Sequence, residues 1–430
     1  MTDYKDLATF LDASPVNFWA VRNICDHLAN FGFTELDMRN SWDIKPGGRY
    51  FVKKNDSAVF AFVVGNGAPS DAFKIISAHS DSPGFRIKPN CEIVCDGNIV
   101  KLNTEAYGGL ILSTWFDRPL SLAGRVILRG DDPLNPRSCL VKIDRPILMI
   151  PNLAIHFNRQ VNDGVALSKQ KDMLPILGRV ENREMARGAV QRLVAEELGV
   201  AFDDILDFDL SLFDTTPAAT VGLNNEFIMS GRIDDLSMVH AALNALIDTL
   251  DTPDKATRVI AVFDNEETGS GTKQGAASPI LDYVMRRISI AKDASEEDYY
   301  RAVSQSFMIS ADDAHGVHPN YVEKQDPTNH PYLGGGPVIK INANCKYMTD
   351  ADSAAVFRSL CEKAGVPFQY FVNHSDNAGG STLGNILTSQ IPLRGVDVGA
   401  PIWAMHSARE TASLADHRAM IAAFKQFFLA

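Results

Sequence analysis

The sequence predicts an α/β fold carrying a β-rich insertion, and three observations point there. Apolar, strand-like runs end repeatedly in turns rich in His, Asp and Glu, the pattern of an open α/β sheet with a crevice at its strand ends. The strand–turn–helix rhythm lapses between about Asn90 and Glu226 and then resumes. With 430 residues the chain is too long for one core of ordinary size, so two domains are expected.

From the N-terminus, Ser14-Pro15 followed by "VNFWAVRNICDHLANFGF" predicts an N-capped helix with Pro at its first position. The runs "RYFVKKN", "AVFAFVVGN" and "AFKIISAHSDSPGF" read as strands. After Asn90, "EIVCDGNIVKLNTEAYGGLILSTWFDRPLSLAGRVILRG" is a series of short alternating segments broken by Gly, Asp and Asn, as in a β-rich module. "ENREMARGAVQRLVAEELGV" reads as a helix, and "GLNNEFIMSGRIDDLSMVHAALNALIDTL" returns to strand, turn and helix. Residues 1–90 and 226–430 are therefore expected to form a discontinuous α/β domain, and residues 91–225 an inserted β-rich domain.

Composition excludes several function classes. Hydrophobic residues are 45% and charged ones 22%, as in a folded globular protein. A net charge of −12, with no basic tract, argues against nucleic acid as a partner. "MTDYKDLATF" lacks the apolar run of a signal peptide, and no stretch reaches the roughly 20 apolar residues that cross a bilayer. Six cysteines (Cys25, Cys91, Cys95, Cys139, Cys345, Cys361) are scattered without paired C-x-x-C units, so a cytoplasmic protein with reduced thiols is expected.

One stretch, "RVIAVFDNEETGSG", places Glu266 and Glu267 side by side where a buried-looking strand ends. Like charges in a poorly solvated place repel, whereas a surface turn carries them cheaply. Four other stretches put metal-type side chains just after apolar strands or at a helix start: His79 and Asp81 in "IISAHSDSPG", Asp234 and Asp235 in "SGRIDDLSMVHAAL", Asp312 and Asp313 in "FMISADDAHGVHPNY", and His406 in "GAPIWAMHSARE". Singly, each has an ordinary role, such as a hydrogen-bonded histidine, a helix cap or a solvated loop pair. Gathered at the strand ends, the carboxylates would repel one another without cations. Two divalent ions sharing one bridging carboxylate resolve that repulsion and make a hydrolytic centre. Zinc accepts such imidazole and carboxylate ligands, and a neighbouring glutamate can take a proton from the activated water.

The set "HSDSPGFRIKP", "RIDD", "DNEETGS", "SADDAHGVHPNY" and "MHSARE" closely resembles the aspartyl aminopeptidase family of two-metal metallopeptidases. The likeness extends through "YGGLILSTWFDRPLSLAGRV", "RPILMIPNLAIHFNR" and "GPVIKINANCKY", and spans nearly the whole chain. It implies a mixed-sheet metallopeptidase domain sandwiched by helices, with the insertion serving dimerisation and oligomerisation. It implies two metal ions per subunit, zinc foremost, with cobalt and manganese also suited to N/O ligands. Asp234 would bridge them, His79 and Asp312 would complete one site, and Glu267 and His406 the other. Glu266 would be the general base, and Asp81 would orient His79 or tune the site. A cis peptide bond is expected between Asp234 and Asp235.

The same likeness implies release of N-terminal Asp or Glu from peptides, with Lys340 of "GPVIKIN" as the cation of the side-chain pocket and Tyr347 beside it. His156 would reach a neighbouring subunit's site, and the subunits would assemble as dodecamers built from dimers. "NHSDNAGGSTLG" repeats His-Ser-Asp, but the resemblance gives His374 no metal; Ala378-Gly379-Gly380 departs from the family, which has a cysteine before the glycine. His315 and His318 are expected to be structural or near the substrate. Two rival readings stay open: a two-metal aminopeptidase, carboxypeptidase or deacylase of other specificity, and a catalytically silent peptide-binding or metal-storing scaffold.

Overall fold

The computed structural model describes residues 4–377 and 379–430, leaving aside the side chains of Tyr4 and Lys5. The chain divides into two compact units. The first comprises the chain up to Asp81, Ala218–Met405 and Glu410–Ala430, and the second Ser82–Pro217 and His406–Arg409.

A nine-stranded sheet organises the first unit. Its spatial order is Thr34–Glu35, Arg49–Lys54, Ala58–Val63, Thr257–Phe263, Phe73–His79, Phe307–Ala311, Arg394–Gly399, Val338–Ile341, Gln369–Val372. Four central neighbours, from 257–263 through 394–399, run parallel. The 58–63 and 338–341 strands flank them antiparallel, so the sheet is mixed. Strands 58–63, 257–263 and 307–311 are buried at every residue, which requires cover on both faces. Helices Ile233–Ile247 and Leu414–Leu429 supply it on one side, through Met238, Leu246, Phe424 and Phe428. Helices Ile280–Ala291 and Glu296–Gln305 supply it on the other, through Val284, Ile288 and Tyr299.

The N-terminal helix differs from expectation. It spans Asn17–Asn30, its N-cap is Val16, and no side chain caps it. A separate helix, Tyr4–Ala13, precedes it. Ser14 turns instead toward Asn23, whose Nδ2 donates to Ser14 Oγ at 3.0 Å and to Ala13 O at 2.8 Å. The first helix needs its own C-terminal carbonyls satisfied, and that demand takes the place of the cap.

The second unit contains a six-stranded sheet ordered Arg137–Lys142, Leu120–Leu128, Ile205–Asp214, Gly84–Val94, Ile99–Tyr107, Ile176–Arg179, antiparallel throughout. Phe85, Leu122, Val126 and Leu210 form its core with Val190 and Val194 of helix Ala189–Leu198. The unit breaks fall at Asp81/Ser82 and Pro217/Ala218, earlier than residues 90 and 226. Strand Gly84–Val94 runs straight through Asn90, which sits at φ 49° in a pairing irregularity between Ile87 and Glu92. At the other break, Ala219–Val221 pairs with Phe227–Ser230, which in turn pairs with Glu410–Ser413 of the first unit.

Candidate metal centre

The C-terminal ends of three parallel strands carry most of the expected site. His79 is the last residue of its strand, Asp264 to Glu267 follow the 257–263 strand, and Asp312 and Asp313 follow the 307–311 strand. Asp234 and Asp235 open helix 233–247 beside them, joined by the expected cis peptide bond. Backbone proximity is extreme here: a Cβ on Gly399 would lie 1.9 Å from the Asp312 carbonyl oxygen, so only glycine lets the two strands close.

His79, Asp234, Asp235 and Asp312 each offer a ligand atom within 4.8 Å of the others, and His79 forms a second such group with Glu266 and Glu267. The first four are between 0% and 8% exposed. His79 Nδ1 lies 3.0 Å from the Asp81 carbonyl oxygen, which can only accept, so Nδ1 carries the proton. Nε2 is left facing Asp234, whose Oδ1 is 3.3 Å away. The Asp81 carboxylate, with Oδ1 3.4 Å from His79 Nδ1, has a second task. Its two oxygens accept the backbone N–H groups of Glu266 at 3.1 Å and Glu267 at 3.2 Å. Asn265 enters that turn at φ 63°, and its Oδ1 accepts from Thr272 Oγ1 and Gln274 Nε2, both at 2.8 Å.

Eight carboxylates crowd this region (Asp81, Asp234, Asp235, Glu266, Glu267, Asp312, Asp313, Glu410) against the cations of Lys340 and, if protonated, His79. The electrostatic consequences follow. Burial, with Asp312 and Asp234 adding repulsion that His79 only partly relieves, pushes Glu266 up to about 8. Burial likewise pushes Glu267, Asp235 and Asp313 well above the carboxylate range. Burial opposes a charge on His79, but Asp235, Asp234 and Asp81 overcome it and raise the imidazole well above its usual value. Asp235 Oδ1 and Asp313 Oδ1 are buried without a hydrogen-bond partner. Orphaned acceptors among repelling carboxylates, with an imidazole nitrogen facing them, are the donor set that divalent zinc fits.

Two of these residues, Asp235 and Asp313, were metal-type candidates given no role in the sequence, and a third, Glu410, was not singled out at all. Asp235 Oδ2 accepts the His79 N–H at 3.0 Å, Asp313 Oδ2 accepts from Ser237 Oγ at 2.8 Å, and Glu410 Oε2 accepts the Asp234 N–H at 3.1 Å. The doubled aspartates of "RIDD" and "SADD" signalled the first two; nothing in "HSARE" distinguished Glu410.

Lys340 is 4% exposed, with Nζ donating to the Asp313 carbonyl at 2.8 Å and 3.4 Å from Asp312 Oδ1. Burial works against its charge, but Asp312, Tyr347 and Asp397 raise its proton affinity above the free value. The Tyr347 ring centre is 5.8 Å from Nζ, and Tyr347 is buried with Ala314, Val338 and Phe371.

His406 belongs to the second unit at φ 68°, its Nδ1 2.9 Å from the Gly109 carbonyl, which again makes Nδ1 the protonated nitrogen. His156 is exposed in that unit on the short helix Ile155–Phe157. His374 accepts the Asp376 N–H through Nδ1 within its own turn, at 3.2 Å, and falls in no metal-type group among the described residues. Ala378 lies outside the described residues. His315 and His318 are exposed, the former 5.8 Å from the Phe371 ring and the latter 5.1 Å from that of Tyr321.

Residues 10–428 match the family described as aminopeptidase I zinc metalloprotease, M18. The chain belongs to the M18 family. This M18 chain is 50% identical over 425 residues to a probable M18 family aminopeptidase 2 of Clostridium novyi (strain NT), covering 99% of this chain and 98% of that one. It is 42% identical over 427 residues to the same-named protein of Pseudomonas aeruginosa (strain UCBPP-PA14), covering 99% and 97%. Among solved structures, a chain in the cryo-EM structure of the Ape4 and Nbr1 complex superposes with a TM-score of 0.94 at 35% identity, over 98% of this chain and 84% of that one. Chaetomium thermophilum mApe1 gives 0.87 at 30% identity, over 98% and 96%. The M18 chain is thus a mixed α/β protein of a zinc metalloaminopeptidase family, and among its described residues no helix is long and apolar enough to cross a membrane.

Proposed function

We propose that this chain is an aminopeptidase that releases N-terminal Asp or Glu from peptides. The observation carrying the acidic preference is Lys340, an ammonium only 4% exposed beside the carboxylate cluster and next to the Tyr347 ring. A substrate carboxylate needs a local cation of this kind, because the overall charge of −12 repels it.

The ligand set proposed for two divalent ions is Asp234 as bridge, His79 and Asp312 for one ion, and Glu267 and His406 for the other. The Nδ1-protonated tautomers of both histidines support it, since each reserves Nε2 for a ligand. When bound, such ions polarise a peptide carbonyl and acidify water. Glu266, whose backbone Asp81 holds, takes the proton from the attacking water and delivers it to the leaving amine. Lys340 orients the substrate through its first side chain.

A homo-oligomer is part of the proposal. Leu153, Ile155 and Phe157, around His156, are 60%, 49% and 81% exposed, an apolar surface that suits a second copy of the chain. The expected dodecamer is the state named for the S. cerevisiae mApe1 structure. A cytoplasmic site of action is supported by six cysteines without a disulfide.

The test is hydrolysis of Asp, Glu, Ala, Leu and Lys anilides by metal-stripped protein re-supplied with zinc, cobalt or manganese. Metal-dependent activity confined to Asp and Glu is expected. Activity on Leu or Lys would overturn the pocket and keep the metal centre. Inactivity with every metal would favour the silent scaffold.

A further inference from the structure

Asp397 is a carboxylate with 0% exposure that neither the metal-type groups nor the proposed reaction uses. It lies on strand Arg394–Gly399, where Gly399 faces Val338 and Val398 faces Ile339; one more step of that antiparallel register sets Asp397 opposite Lys340. Its side chain accepts from Thr382 Oγ1 at 2.5 Å and from the Met348 N–H at 2.6 Å. Its own N–H donates to Thr349 Oγ1 at 2.9 Å. Met348 and Thr349 directly follow Tyr347, and Thr382 is the N-cap residue of helix Leu383–Gln390. That helix comes so close that a Cβ on Gly384 would sit 2.5 Å from Asp397 Oδ2.

A buried carboxylate is costly unless hydrogen bonds compensate it, and removing it strands the donors aimed at it. Here those donors come from two separate chain segments, the one after Tyr347 and the start of helix Leu383–Gln390, both packed against the 394–399 strand. We propose that Asp397 is the positioning residue of the acidic-side-chain pocket: it ties the Tyr347 segment to the strand facing Lys340, and so fixes where Lys340 meets the substrate's first side chain. The proposal rests on Lys340 being the cation of that pocket.

The test uses the full-length, zinc-loaded chain with Asp and Ala anilides. D397A should lower kcat/KM for Asp about tenfold, chiefly through KM, since a small misplacement of a binding group costs this much or more. Turnover of Ala and zinc content should stay at the parent level. D397N should restore the Asp rate, because its amide oxygen still accepts the Met348 N–H and its NH2 group can donate to Thr382. K340M separates the two ideas by collapsing the Asp-to-Ala ratio if Lys340 is the pocket cation. If K340M collapses it while D397A changes both substrates alike, or neither, the role of Asp397 is overturned. If K340M leaves the ratio intact, the pocket reading fails and takes the Asp397 role with it. Should D397A fail to fold, T349V removes the hydroxyl that anchors the Tyr347 segment and carries the same comparison.

Discussion

The Asp81 carboxylate accepts the backbone N–H of Glu266 at 3.1 Å. The residue expected to serve His79 therefore does so through its carbonyl and, at 3.4 Å, its Oδ1, while the same carboxylate holds the glutamate turn. D81A should leave both N–H groups of the turn without acceptors and let Glu266 and Glu267 drift. Zinc affinity, measured by competition with a chelator, should fall by about 10- to 100-fold, the usual cost of losing a group that orients a metal site. Unchanged affinity together with unchanged turnover would mean the turn holds itself.

Glu266 is the second test. E266Q keeps the shape of the side chain and its backbone contact to Asp81 but cannot accept a proton. Turnover of the Asp anilide should fall by about 10²- to 10⁴-fold, the range attributed to general acid–base catalysis, with zinc content retained. Retained activity would assign the base elsewhere.

Metal removal should register in stability as well as in rate. The carboxylates around His79 repel one another without cations, so stripped protein should melt at a lower temperature, and zinc should restore it. The gain should be about 4 kcal/mol at a free zinc concentration 1,000 times its dissociation constant. Calorimetry with and without zinc measures this directly.

A fourth prediction concerns acid. His240 Nδ1 and His417 Nε2 stand 3.0 Å apart, both buried, between helices 233–247 and 414–429. Burial, with Arg418 adding to it, lowers His417 from 6.5 to about 4, and burial with His417 lowers His240 well below 6.5. A folded-state value below the unfolded one means the unfolded chain binds the proton first. The stability this pair contributes is therefore complete above pH 6.5 and is lost as pH falls through 4. For His417 alone the loss is about 3 kcal/mol, and H417Q should flatten that part of the melting-temperature profile.

How much of this was legible depends on what kind of information each element carries. Strand ends followed by His79, Glu266 and Asp312 were readable because an apolar run and the polar turn after it are local in sequence. The order in which those strands lie was not, since the 73–79 strand sits between 257–263 and 307–311 only through crossovers that no local period records. Ser14 read as a cap because Ser-Pro before an apolar run usually is one, and only the neighbouring helix Tyr4–Ala13 decides otherwise. Asp235 and Asp313 were visible but resembled solvated partners of their neighbours until burial showed them inside. Glu410 reaches Asp234 across 176 residues, a relation no motif contains.

The short return His406–Arg409 bears on how the chain can be rebuilt. These four residues interrupt the first unit yet take their footing in the second: the Ile111 N–H donates to the His406 carbonyl, the Ala408 N–H to Thr114 Oγ1, and Arg409 to the carbonyls of Thr216 and Pro217. The insertion is therefore not a removable cassette. Excising 82–217, or grafting the corresponding stretch of a distant relative, would take away the hydrogen-bond partners that hold residues 406–409. Domain transplantation is constrained by that splice: a graft has to carry residues 406–409 together with 82–217.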